Sequence, residues 1–299
     1  MSSERRAVVL ALLAVLLWST VATAFKLSLE QLTPRWLLAI ASIASLLFLT
    51  GFLAYQRQLP QALSGFKQQP AFYLRQGLIN PLLYYLILFQ AYDELPAQQA
   101  QSINYTWALT MSLLAVPMLG QKLLRRDIVA LSLAYIGVVV IATKGDPLAL
   151  QFDSPLGVGL ALLSTLLWAL YWIWNTKAQH PPTVSLWSGF AIATPLIWLV
   201  ALWWDGWPGM ALWGQGGLAA VYVGLFEMGV TFLLWQTAMS LTSRTAAISS
   251  LIFLSPFLSL IFISKVLGEP IHSATFVGLV LIVTGLGIQK MPSRRQASQ

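Results

Sequence analysis

The octapeptide ALLAVLLW at residues 11–18 returns as ALLSTLLW at residues 161–168, with six of eight positions unchanged. Leucine-rich segments match by chance, so the pair gains its meaning from what recurs beside it. Phe89-Gln90-Ala91 parallels Trp235-Gln236-Thr237, Leu119-Gly120-Gln121 parallels Leu267-Gly268-Glu269, and Ile136-Gly137 parallels Thr284-Gly285, all at nearly the same offset. The chain reads as one plan written twice, with residues 1–145 as the first copy and 146–299 as the second.

Both octapeptides sit in apolar runs of the length a bilayer crossing needs, about 20 residues. Ten such runs can be marked: Ala7–Phe25, Trp36–Tyr55, Tyr73–Tyr92, Ala97–Leu119, Ile128–Thr143, Leu156–Asn175, Val184–Trp204, Leu218–Met239, Ala246–Val266 and Thr275–Gln289. Turn chemistry separates them, at Thr33-Pro34, Leu59-Pro60, Gly145-Asp146-Pro147, His180-Pro181-Pro182, Trp207-Pro208-Gly209 and Gly268-Glu269-Pro270. Arg5-Arg6 before a run ending in Ala22-Thr23-Ala24 resembles a cleavable signal peptide. The repeat needs that first helix, and this decides against cleavage. The expected fold is therefore an all-α integral membrane protein of ten transmembrane helices.

Composition agrees with this reading. Of 299 residues 58% are apolar and 9% charged, with a mean hydropathy of +0.73. A water-exposed domain carries about a quarter charged residues. The absence of cysteine excludes disulfides and thiolate metal sites, and His180 and His272 fall in separate loops; no cofactor is expected. The net charge of +7 is dispersed between apolar runs, which points to membrane topogenesis and not to nucleic acid.

Those charges give an orientation. With an inner N-terminus, the inner side holds Arg5, Arg6, Arg57, Lys67, Arg75, Lys122, Arg125, Arg126, Lys177, Arg244, Lys290, Arg294 and Arg295. The outer side holds only Lys26, Arg35, Lys144 and Lys265. Inner loops are enriched in lysine and arginine, so both termini are expected inside. Each copy contains five runs, an odd number, so the copies enter the membrane from opposite sides. Inverted repeats of this kind characterise secondary transporters, with the substrate site near the midplane between them.

Polar residues deep in apolar runs are the candidates for that site, because an intramembrane charge costs at least about 2.5–3.5 kcal/mol at a helix centre. Glu227 lies at the middle of the eighth run, with Thr231 and Trp235 at i+4 and i+8 on one helical face. It reads as a proton- or amine-binding carboxylate, or as a structural hydrogen-bonding glutamate. The fourth run carries Gln101, Asn104, Tyr105 and Ala108 at i, i+3, i+4 and i+7, a stripe suited to a cavity wall or to interhelical bonding. Asn104-Tyr105-Thr106 matches the glycosylation pattern, but its depth in the membrane makes that a false match. Asn80-Pro81 breaks the third run and frees a backbone carbonyl. Trp18, Trp168, Tyr84 and Tyr105 lie deep enough to face a cavity, whereas Trp36, Trp203, Trp204 and Trp207 read as interfacial belt residues.

Absent motifs narrow the class. There is no nucleotide-binding G-x-x-x-x-G-K-[ST] loop, no G-x-S-x-G or H-E-x-x-H, and no potassium-filter or gating-charge pattern. An enzyme is not expected.

Two runs of five, a tryptophan in the first helix of each half and Leu267-Gly268-Glu269-Pro270 before a glycine-rich last helix resemble the drug/metabolite transporter superfamily, EamA type. The resemblance covers residues 7–289. Leu17-Trp18-Ser19-Thr20, Asn104-Tyr105-Thr106-Trp107 followed by Gly120-Gln121-Lys122, and Trp168-Ala169-Leu170-Tyr171 look like the YddG-type aromatic amino-acid exporters. This implies a basket of helices around a central cavity, the fifth and tenth helices peripheral, and export of amino acids and related metabolites. It adds Trp107, Tyr171, Trp18, Tyr105 and Trp168 as cavity candidates. Two departures stand out: Gln121 occupies the place of Glu269 in the second copy, and Phe226-Glu227-Met228-Gly229 brings a carboxylate foreign to the YddG type.

The expected protein is thus a bacterial inner-membrane secondary transporter, monomeric or a weak homo-oligomer, moving a small-molecule substrate out of the cell through a lipid bilayer by alternating access. Coupling to protons through Glu227 is one expectation. An uncoupled facilitator or channel, an exporter of drugs or nucleosides, and an intramembrane enzyme acting on a lipid-linked substrate are the rival readings.

Overall fold

The computed structural model describes residues 2–146, 148, 152–175, 181–243 and 245–290, with backbone alone at 245–247 and 290. Pro147, Lys177, His180, Arg244, Arg294 and Arg295 of the sequence reading lie outside the described residues. Among the described residues every regular element is helical. In chain order these are α1 (Ser3–Leu29), α2 (Pro34–Tyr55), α3 (Leu59–Gln68), α4 (Pro70–Gly77), a π-type turn (Leu78–Leu83), α5 (Tyr84–Glu94), α6 (Ala97–Asn104), α7 (Trp107–Leu119) and α8 (Arg125–Ala142). Then follow α9 (Pro155–Asn175), α10 (Pro182–Asp205), a 3-10 turn (Gly209–Trp213), α11 (Gln215–Phe226), α12 (Val230–Leu241), α13 (Thr245–Ser250), a 3-10 turn (Leu251–Leu254), α14 (Ser255–Val266) and α15 (Ser273–Lys290).

Among the described residues six stretches are long and apolar enough to cross a membrane: Ser3–Leu29, Pro34–Tyr55, Pro155–Asn175, Pro182–Asp205, Gln215–Leu241 and Ile248–Val266. The remaining runs are helical in a different way. The third and fourth are divided by breaks, the fifth begins on Arg125-Arg126-Asp127, and the tenth supplies the shorter apolar stretch Ser273–Gln289. The proline at Leu59-Pro60 starts α3 where the sequence promised only a turn, as proline can in a first turn whose N–H groups are unsatisfied anyway. Caps set other ends. Thr33 accepts from the Trp36 amide at the start of α2, while Gly120 and Gly268, matched in the two copies, both take φ near +66° to +69° after α7 and α14. Only a residue without a β-carbon adopts that backbone freely.

The breaks inside the runs fall in matched pairs. Asn80 has extended backbone (φ −137°, ψ 116°) before a cis bond to Pro81, and residues 227–229 interrupt α11 and α12. Counted from the parallel Phe89-Gln90-Ala91 and Trp235-Gln236-Thr237, these two breaks are within a residue of each other. Tyr105-Thr106, between α6 and α7, likewise corresponds to the 3-10 turn before α14.

Close helix crossings are matched as well. A β-carbon at Gly77 would sit 2.7 Å from the Gly189 carbonyl of α10, and one at Gly224 of α11 would overlap the Ala41 carbonyl of α2. At the α8–α15 seam, a β-carbon at Gly137 would lie 2.5 Å from the Gly278 carbonyl, and one at Gly285 would lie 2.6 Å from that of Ala130. Exchanging the copies turns each contact into the other of its pair. Small residues are what allow backbones to approach this closely in an apolar medium.

Polar contacts gather at two ends. At one, Arg35 and Thr33 grip Asp205 at 2.5–2.9 Å, Gln31 accepts from the Gly216 amide, and Lys144 and Gln99 meet Asp153. At the other, Glu4 accepts from Thr242 and Ser243. Trp203, Trp204 and Trp207 are well exposed at the Asp205 end, as belt residues should be. Trp36 is not: it is 1% exposed, its indole N–H donates to the Gly206 carbonyl at 2.9 Å, and Trp198 and Trp207 pack edge-on against it. The capped α2 terminus turns this ring inward, and the hydrogen bond satisfies its polar edge.

Candidate functional site

The broken third run places the first site residues. Because the backbone turns at Asn80, its side chain is buried with Oδ1 unbonded, and its amide lies beside the Tyr171 hydroxyl of α9. One turn on, Tyr84 stacks on Trp168 (4.5 Å between centroids, 29°), and Trp168 stacks in turn on Tyr171 (5.5 Å, 27°). Trp107 and Trp172 meet the Trp168 indole edge-on at 6.4 and 6.0 Å. Five rings from α5, α7 and α9 thus form one aromatic group, offering flat faces and edges to an apolar guest.

A polar rim adjoins it. The Asn104 amide donates to Ser164 Oγ at 3.0 Å and lies by the Tyr84 hydroxyl. The Tyr105 hydroxyl lies by Ser255 of α14. Glu227, ending α11, accepts from the Tyr85 hydroxyl at 3.2 Å, and Tyr84, Tyr92 and Tyr105 also stand within its field. The Glu227 and Tyr105 side chains are half-buried within the bundle. A carboxylate among phenols, beside an indole stacked between two tyrosines, can hold an ammonium group or a proton while the rings hold an apolar body.

The remaining candidates fall into two groups. Trp18 packs on Trp235 at 5.5 Å, joining α1 to α12, with the Thr20 and Tyr222 hydroxyls paired at 2.7 Å nearby. Thr231 is fully buried, and its hydroxyl donates to the Phe226 carbonyl that the break releases. Gln101 is buried in α6, its carbonyl accepting from the Tyr105 amide. Neither expected stripe is continuous. Residues 227–229 divide Glu227 from Thr231 and Trp235, and Tyr105-Thr106 divides Gln101 and Asn104 from Ala108. Across a break the helical phase is reset, so the i+4 count no longer defines a face.

Sequence reading missed Tyr85, Ser164, Thr165 and Ser255. A signal for two of them was present. Ser164 and Thr165 are the positions at which the second octapeptide departs from the first, and they bond Asn104 and Thr110. Tyr85 and Ser255 carried no comparable mark.

An all-helical bundle with several membrane-length apolar helices and a buried aromatic–polar group at its helix breaks defines a multi-pass membrane protein. The chain belongs to the EamA-like transporter family, which it matches twice, over residues 5–143 and 155–288. It is 26% identical over 297 residues to a probable amino-acid metabolite efflux pump of Escherichia coli (strain K12), covering 95% of each chain. It is 22% identical over 307 residues to the aromatic amino acid exporter YddG of Ancylobacter novellus, covering 98% of this chain and all of that one. A Bacillus subtilis (strain 168) protein described as the uncharacterized transporter YvbV is 25% identical over 227 residues, 75% of this chain and 73% of its own. A crystal structure 23% identical in sequence superposes with a TM-score of 0.64 over 97% of this chain and 98% of its own, which shows a shared fold.

Proposed function

We propose that this protein is a secondary transporter of the bacterial inner membrane that exports small amphipathic metabolites, amino acids first among them, by alternating access. Ten crossings in two inverted five-helix copies, divided at residues 145 and 146, carry both termini on the inner side. The matched helix breaks, the matched glycine crossings and the double family match support the two copies. The separation of polar contacts into two ends supports helices that run from face to face, and the lysine and arginine asymmetry supports the orientation.

The observation that carries the reading is the Tyr84–Trp168–Tyr171 stack with Asn80, Asn104 and Glu227 beside it. Such a group fits a molecule with an apolar, preferably aromatic, side chain and a charged polar end. The relatives described as exporting amino acids support that substrate class. Trp18 of the first copy and Trp235 of the second meet at another part of the same site, with Gln101 and Trp107 in its wall; Thr231 holds the break beside Glu227. Glu227 takes a proton from one side and yields it on the other as the copies rock, which couples export to the proton gradient.

Counterflow in proteoliposomes tests this. Saturable, trans-stimulated exchange of aromatic amino acids is expected, and flux that neither saturates nor responds to trans substrate overturns it. Glu227→Gln is expected to abolish the pH dependence of exchange; an unchanged profile removes the coupling.

A further inference from the structure

At the Asp205 end of the molecule the second copy holds the first by a second polar device. Glu269 Oε1 accepts from the Ala97 amide at 2.9 Å, so a carboxylate sits on the first amide of α6. There it opposes the positive end of the α6 backbone dipoles. The next residue, Gln98, is 1% exposed and makes three bonds to the segment after Glu269. Its amide donates to the Pro270 carbonyl at 2.9 Å, while its carbonyl accepts from the His272 amide at 3.2 Å and from Thr275 Oγ1 at 2.7 Å. The chain entering α6 is itself anchored, because Lys26 Nζ donates to the Tyr92 and Leu95 carbonyls at 2.8 and 3.2 Å.

The duplicated plan supplies a comparison inside the same molecule. The offset that carries Gly120 to Gly268 carries Gln121 to Glu269, Ala97 to Thr245 and Gln98 to Ala246, and Thr245 begins α13 as Ala97 begins α6. At the opposite end of the bundle a neutral, exposed amide therefore replaces the carboxylate, and a methyl replaces the group that makes three hydrogen bonds. One other end contact recurs in both copies. Glu4 with Thr242 at one end corresponds, within two residues, to Ser154 with Glu94 at the other, at 2.9 Å in both. The Glu269–Gln98 device has no such counterpart in the residues at the matching positions, Gln121 and Ala246.

We infer that Glu269 and Gln98 form an outer latch that their counterpart residues Gln121 and Ala246 cannot reproduce, so that the unloaded transporter rests closed outside and open inside, ready to load from the cytoplasm. This rests on the alternating-access reading. A two-state equilibrium shifts by the difference in interactions between its states. Charge-assisted and buried hydrogen bonds are of the size that moves such a ratio about tenfold.

The absence of native cysteine makes the latch directly measurable. Ser102 of α6, whose hydroxyl bonds the Gln98 carbonyl, and its counterpart Ser250 of α13 serve as separate single-thiol reporters, Ser102→Cys and Ser250→Cys. Their alkylation rates with N-ethylmaleimide are measured on the full-length protein in detergent. Combining Glu269→Gln with Gln98→Ala is expected to speed labelling at position 102 about tenfold. The reverse graft, Gln121→Glu with Ala246→Gln, strengthens the inner side and is expected to slow labelling at position 250. Failure of either rate to move in its stated direction overturns the latch; if the first pair does not fold, the graft decides. Loss of counterflow with the labelling shifts intact would instead count against transport, since alkylation requires no substrate.

Discussion

Trp168 is the side chain on which the site turns, because one ring joins two stacked and two edge-on partners drawn from three helices. Each aromatic pair contributes about 0.5–1.5 kcal/mol beyond its buried area. Trp168→Ala is therefore expected to raise the KM for aromatic substrates in counterflow about two- to tenfold, while Trp168→Phe retains most of the affinity. Trp36, equally aromatic but packed at the Asp205 end, separates a binding effect from a packing effect. Trp36→Phe is expected to leave KM unchanged and to lower the thermal midpoint through the lost bond to Gly206, read by a melting scan in detergent.

Among the elements, α8 and α15 meet backbone against backbone, and α2 is tied to α10 by the Arg35–Asp205 pair at 2.6 Å. A leucine in place of Gly137 must overlap the Gly278 carbonyl, so Gly137→Leu is expected to cost about 1–3 kcal/mol or more and to lower the melting midpoint. Gly51→Ala, where no atom lies within 4 Å, is expected to leave that midpoint unchanged or raise it slightly. At the polar tie, Arg35→Lys should destabilise as well, because an ammonium cannot reproduce the guanidinium's fork on both Asp205 oxygens. Much of this level was legible in sequence. Apolar length and turn residues marked the helices, whereas Gly137 and Gly285 were legible only as a repeat and not as a seam. The breaks were legible only where chemistry announces them. Asn80-Pro81 did so, but Tyr105-Thr106 contains neither proline nor glycine, and the interruption after Glu227 depends on tertiary packing. The stripes drawn through those two points were consequently read with one helical phase where the molecule has two.

For the molecule as a whole, the asymmetry of lysine and arginine predicts which loops face the cytoplasm. Exposed Tyr55 at the end of α2 and exposed Met210 beyond α10 lie on opposite sides in that scheme. In intact cells, a membrane-impermeant maleimide is expected to label Met210→Cys and to leave Tyr55→Cys untouched until the cells are opened. The reverse pattern would invert the proposed topology. The matched breaks at Asn80 and Glu227 carry one more consequence, which concerns direction. Two identical halves inserted head to tail present the same face to both compartments, and such a body has no means of distinguishing in from out. Vectorial behaviour must therefore reside where the copies disagree. Two such disagreements lie in the outer latch, where Glu269 stands opposite Gln121 and Gln98 opposite Ala246. If the two copies are inverted as proposed, the sense of transport is to be sought at positions such as these, where a few atoms set one copy apart from the other.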